Sequence, residues 1–107
     1  MIGWIYLLGA IVFEVAGTTA MKMSDGFTKT VPSFAMVIFY LFSLGALTFA
    51  LKKFDVSMAY AIWSGVGTAL ITVIGFYYFK EEITLLKIVS IGFIILGVVG
   101  LHMSTKS

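Results

Sequence analysis

The 107-residue sequence has no cysteine, no arginine, one proline and one histidine. Without cysteine there is no disulfide framework, no thiol nucleophile and no thiolate metal site. A single histidine, His102, does not make a metal site and is read as an interfacial side chain. The basic residues are seven lysines, never more than two in a row (Lys52-Lys53). That is no clustered basic face for nucleic acid. Charge of both signs is scarce: charged residues make up 11% of the chain, against about 25% in an ordinary soluble domain. A soluble fold of this size has a large surface to cover with polar groups, and seven lysines and five acids cannot cover it. A soluble enzyme and a disordered tail are therefore excluded. No enzymatic activity, cofactor or metal is expected.

What the sequence has in abundance is apolar length: 61% of the residues are hydrophobic. Residues 30–51, 56–79 and 88–105 carry no Lys or acid, and residues 1–21 are interrupted only by Glu14. Each stretch is close to the ~20 residues that carry an α-helix across a ~30 Å hydrocarbon core. The expected fold is an all-α membrane protein. It is one four-helix transmembrane domain over residues 1–107, with helices at about 2–21, 33–51, 57–79 and 85–104. No lysine precedes the first apolar run and an acid sits inside it, so that run reads as a retained helix rather than a signal peptide. Asp25-Gly26 is a turn dipeptide, and Pro32 suits the first turn of the second helix.

The lysines do not set an orientation. Lys22, Lys29, Lys80 and Lys87 fall on one side, and Lys52, Lys53 and Lys106, with the α-amino group, on the other. Topology follows an excess of such residues, and here the two sides balance. Either something else orients the chain, or it inserts both ways round and two copies can pair head to tail.

Glu14 is the only carboxyl inside a span, and every lysine lies at a span end or in a loop. A carboxylate at mid-membrane costs roughly 2.5–3.5 kcal/mol, and residues that costly mark proton relays, ion sites or substrate counter-charges. Leaving water disfavours the charged form, so this carboxyl can hold a proton or release it for a cation. Two copies brought together would titrate as a unit. Ala10, Gly17 and Thr18 stand at i−4, i+3 and i+4, on the same helix face. Small residues there allow close helix approach or leave room for a guest. Tyr60 and Trp63 share a face of the third helix, as packing residues or as aromatic walls that attract a cation. Tyr40, Trp4 and Tyr6 are further wall candidates, the last two near a helix start where interfacial aromatics are common. Gly65 and Gly67 form either a hinge or a packing notch. Ser90 and Gly97, seven apart with Gly92 and Gly100 nearby, make a small-residue stripe suited to helix contact on the fourth helix.

Three runs together, Glu14-Val15-Ala16-Gly17-Thr18-Thr19-Ala20-Met21-Lys22, Ser24-Asp25-Gly26-Phe27-Thr28-Lys29 with Pro32-Ser33, and Ala59-Tyr60-Ala61-Ile62-Trp63-Ser64-Gly65-Val66-Gly67, resemble the small multidrug resistance family over nearly the whole chain. The resemblance implies an antiparallel, dual-topology homodimer, less often a heterodimer with a paralogue, in the lipid of the bacterial inner (cytoplasmic) membrane. It implies proton-coupled export of organic cations. Glu14 of each subunit would bind protons and substrate in turn. Tyr60 and Trp63 would line the site, with Tyr40 and Ser43 near it. Gly65 and Gly67 would kink the third helix, and the fourth would make the dimer contact through Ser90, Gly97 and Val98. Gly17, where the guanidinium exporters of the family typically have Trp, is similar to the quaternary ammonium branch. Trp4 and Ser90 depart from the Tyr and Gly common at those positions. Rival readings are a guanidinium or polyamine exporter, an inverted-dimer ion channel, which would need a continuous polar path, and a non-transporting membrane subunit.

Overall fold

The structure, a computed structural model, describes residues 2–104, so Lys106 lies outside the described residues. Its elements are four helices: α1 (Ile2–Met23), α2 (Thr30–Ala50), α3 (Val56–Tyr77) and α4 (Leu85–Ser104). Among the described residues there is no strand. At 1.5 Å rise per residue, helices of 20 to 22 residues are about 30–33 Å long, which matches the hydrocarbon thickness. All four are long and apolar enough to cross a membrane.

The helix ends differ from the sequence expectation by a few residues, for local reasons. α2 starts at Thr30 because the Ser33 N–H and hydroxyl both donate to the Lys29 carbonyl, at 3.2 and 2.7 Å. Pro32 still falls in the first turn, where its missing N–H has no intrahelical acceptor to lose. α3 stops at Tyr77. Lys80 then takes a left-handed conformation (φ 59°) that turns the chain back, and the Glu81 N–H donates to the Gly75 carbonyl at 2.9 Å. Between α1 and α2, Asp25, Gly26 and Phe27 are all left-handed. The buried Ser24 holds this turn: its carbonyl accepts from the Thr28 and Lys29 N–H groups, and its hydroxyl accepts from the Phe27 N–H.

α1 sits between its neighbours and presents two faces. Leu7, Ile11 and Val15, spaced by four, pack into one cluster with Ala50 of α2 and Met58, Ala59 and Ile62 of α3. Gly3, Ala10 and Gly17, spaced by seven, form a second buried row. A β-carbon at Gly3 would stand 2.8 Å from Lys53 Cβ, and one at Gly17 would stand 2.8 Å from the Tyr40 ring. At Ala10 the backbone is close enough for the Ser43 hydroxyl to donate to its carbonyl, at 2.7 Å. Lipid gives no hydrophobic drive for helices to associate, so close backbone approach and interhelical hydrogen bonds supply the attraction.

α4 is held differently. It packs on α3, where Gly65 makes room for Val98 Cγ2 and Ile94 Cγ2, which a β-carbon there would meet at 2.7 and 3.2 Å. None of its residues is buried, and Leu85, Leu86 and Phe93 are at least 70% exposed. Its N-terminal end approaches α3 through the folded-back loop, and near its C-terminal end His102 lies edge-on to Trp4, with centroids 5.5 Å apart.

The packing predicts an order of sensitivity along the α1–α2 seam. Ser43→Ala removes one buried hydrogen bond and should cost about 1 kcal/mol of bilayer stability. Gly17→Ala should cost more, because the new methyl must displace the Tyr40 ring. Unfolding measured by steric trapping in bicelles, with both variants beside the parent, checks the order.

Candidate functional site

Glu14 lies near the middle of α1, half-buried at the junction with α2 and α3. One oxygen, Oε1, accepts from the Thr18 hydroxyl at 3.0 Å. This pair forms because residues four apart on a helix face one another. Thr18 Oγ1 is also 2.7 Å from the Tyr40 hydroxyl of α2, so Glu14, Thr18 and Tyr40 form one hydrogen-bonded chain across two helices. The other oxygen, Oε2, points at α3, 3.0 Å from where a β-carbon on Gly67 would be. Gly67 thus admits the carboxyl to the α3 surface.

Beside this carboxyl is a cavity of about 150 Å³ lined by Glu14, Trp63, Ser64, Gly67, Thr68 and Ile71. Trp63 supplies an aromatic wall. Its indole Nε1–H is buried and has no hydrogen-bond partner among the described residues. An unsatisfied buried donor costs about 1–3 kcal/mol, so this group is poised to gain from an acceptor. Tyr60 stands edge-on to Trp63, with centroids 5.4 Å apart, and is itself mostly exposed.

The predicted residues therefore divide. Glu14, Thr18, Gly17, Tyr40, Trp63 and Gly67 come together at one place. Ser43 and Ala10 bond to each other one helical turn away. The space at Gly17, open in the sequence reading to either packing or a guest, is filled here by the Tyr40 ring. Trp4 and Tyr6 are not on the cavity: Trp4 packs edge-on to Phe54 at 5.0 Å, and Tyr6 stacks on Phe49 at 5.3 Å. Gly65 serves as a notch for Val98, so Val98 faces its own chain, whereas Ser90 and Gly97 remain exposed with open space around Gly97.

Sequence reasoning passed over Ser64, Thr68 and Thr72. They continue from Tyr60 at a spacing of four and form one polar stripe on α3. Each hydroxyl donates to the carbonyl four residues back, at 2.7–2.8 Å. The spacing was visible in the sequence. Its meaning was not, because only the fold sets that stripe beside Glu14.

A four-helix membrane protein whose one intramembrane carboxyl opens on a polar, aromatic-walled cavity has the construction of a small transporter. The chain belongs to the small multidrug resistance family: the profile described as Small Multidrug Resistance protein matches residues 2–94. It is 55% identical over 100 residues to the uncharacterized membrane protein YvaE of Bacillus subtilis, covering 94% of this chain and 84% of that one. It is 45% identical over 104 residues to the multidrug resistance protein EbrB of the same organism, covering 97% and 89%. It is 40% identical over 107 residues to the quaternary ammonium compound-resistance protein QacE of Escherichia coli, covering 100% and 97%.

The hydrogen-bonded chain makes a specific prediction. Thr18→Val removes both hydroxyl contacts and should weaken tetraphenylphosphonium binding by about three- to tenfold, the net scale of one ordinary hydrogen bond. Tyr40→Phe removes one and should weaken it less. In the double variant the two effects should not add, since both act through one chain. Equilibrium dialysis of the four proteins supplies the cycle.

Proposed function

We propose that this protein is a proton-coupled antiporter that exports lipophilic and quaternary ammonium cations across the bacterial cytoplasmic membrane. It works as an antiparallel homodimer in which Glu14 of both copies forms one site. The observation that carries this reading is the placement of Glu14. It is the one carboxyl in the spans, every lysine lies at a span end or in a loop, and one of its oxygens is directed to the α3 surface beside the cavity. A half-buried carboxylate in the membrane without a cationic partner can take a mobile cation, either a proton or an organic one.

The chemistry follows from competition. With both Glu14 carboxyls protonated, the site is neutral and offers a cation only ring faces. Once deprotonated, the pair attracts a cation, and Trp63 adds a ring face worth roughly 0.5–2 kcal/mol when desolvated. Protons entering down their gradient then displace the cation on the other side. The polar groups present favour an organic cation, because a hard metal ion would call for several oxygen ligands. A cavity of about 150 Å³ in one chain is half a site, which a second copy would complete. The exposed face of α4, with Ser90 and Gly97, is where that copy would pack. The balanced lysines favour two identical copies inserted in opposite senses. The names of EbrB and QacE agree with drug and quaternary ammonium cations as the cargo class.

The test is Glu14→Gln, which keeps shape and removes the titration. The variant should release no protons when a cation is added and should bind tetraphenylphosphonium at least a hundredfold more weakly, since it lacks the counter-charge. Proteoliposomes carrying it should not accumulate methyl viologen against a gradient when a pH difference is imposed. Accumulation at the parent rate would refute the assignment.

A further inference from the structure

A second cavity, about 260 Å³, opens at the end of the bundle formed by the α1–α2 and α3–α4 connections. Its walls include Thr18 and Lys22 of α1, Thr72 and Gly75 of α3, Lys87 of α4 and Glu81 of the α3–α4 loop. Two links join it to the Glu14 cavity. Ile71 lines both, and Thr18, on the wall of this one, donates to Glu14 at 3.0 Å. The hydroxyl stripe on α3 spans the same interval, with Ser64 and Thr68 on the inner cavity and Thr72 on the outer.

Glu81 is the only acid among the described residues on this outer wall, and its position is built in. The left-handed Lys80 turns the loop back, the Glu81 N–H is fixed to the Gly75 carbonyl, and the carboxyl lies over the α-carbon of Gly75. A β-carbon at position 75 would stand 2.5 Å from Glu81 Oε1. Among the described residues neither lysine of the cavity pairs with it. Lys22 Nζ lies over the Phe79 ring, 5.9 Å from its centroid, and Lys87 Nζ donates to the Glu82 carbonyl at 2.7 Å. Two ammonium groups at the entrance of a cation path repel the cargo. An unpaired carboxylate among them offsets half of that repulsion.

We propose that this cavity is the mouth through which organic cations reach Glu14, and that Glu81 is its electrostatic guide. Glu81 sets the rate of entry and leaves the affinity of the Glu14 site alone. The inference rests on the functional reading above, and the experiment separates the two. Charge at a narrow entrance changes association rates by tenfold or more and loses its effect with salt. A guide that does not touch the bound cation speeds entry and exit equally.

The experiment is stopped-flow quenching of tryptophan fluorescence by tetraphenylphosphonium, with purified protein in nanodiscs, at low and high salt. Glu81→Gln should slow association and dissociation alike, by about threefold at low salt, with an unchanged equilibrium constant; Glu81→Lys should slow both by about tenfold. In 0.5 M salt the three proteins should converge. Gly75→Ala, which moves the carboxylate without removing its charge, should reproduce part of the Gln effect. Parent-like rates in both Glu81 variants would overturn the mouth and leave the antiporter reading standing. So would a weakened equilibrium constant in Glu81→Gln, which would make Glu81 part of the binding site. A parent protein that binds no tetraphenylphosphonium would overturn the antiporter reading and the mouth together.

Discussion

A carboxyl in hydrocarbon is the constraint around which the rest of this chain is arranged. Leaving it charged and alone would cost several kcal/mol, and burying it fully paired would leave it nothing to do. The structure takes a middle course. Oε1 is satisfied by Thr18, which is itself tied to Tyr40, and Oε2 is turned to a wall where Gly67 has no side chain. One oxygen anchors the group, and the other is directed to the cavity. One turn away on the same helix face, Ala10, Gly17 and Thr18 are small or hydroxylic, which lets α2 come close beside the carboxyl.

That arrangement needs helices that approach closely in a solvent that does not push them together. α1 meets this need with two interleaved rows. The large residues Leu7, Ile11 and Val15 build the core, and Gly3, Ala10 and Gly17 let α2 and its following turn come near. On α3 the two glycines divide the work: Gly65 seats Val98 of α4, and Gly67 admits the carboxyl. Both lie within one continuous helix, α3, from Val56 to Tyr77. The result is a three-helix core with a fourth helix attached along one seam, its other faces left to lipid or to a second copy.

Much of this was legible in the residues. Apolar runs of membrane length separated by lysines and acids give four spans in any reading, because the hydrocarbon thickness sets the scale. Glu14 stood out because an ionisable group at that depth needs a reason. Tyr40, Gly17 and Thr18 were named as candidates on spacing or resemblance, and the fold assembles them. Trp4 and Tyr6 were named on residue type, and the fold sends them to Phe54 and Phe49, because an aromatic near a helix start meets whatever the next connection brings to it. Val98 was named with Ser90 and Gly97 as a dimer contact, and within the chain it packs against Gly65: a one-residue step from Gly97 is a rotation of about 100° around the helix.

By itself the sequence determined the solvent, the number of spans, the lack of any thiol, and the one carboxyl within the spans. Those properties follow from composition and one-dimensional spacing, which no packing arrangement alters. Only the tertiary structure decided which oxygen of Glu14 is held by Thr18 and which is turned to α3, that the Ser64–Thr68–Thr72 stripe runs beside it, and that Glu81 lies over Gly75 at a second cavity. These depend on the rotation of each helix about its axis and on where a loop turns back. Both are set by contacts between residues far apart in the chain, and no local pattern of letters carries them.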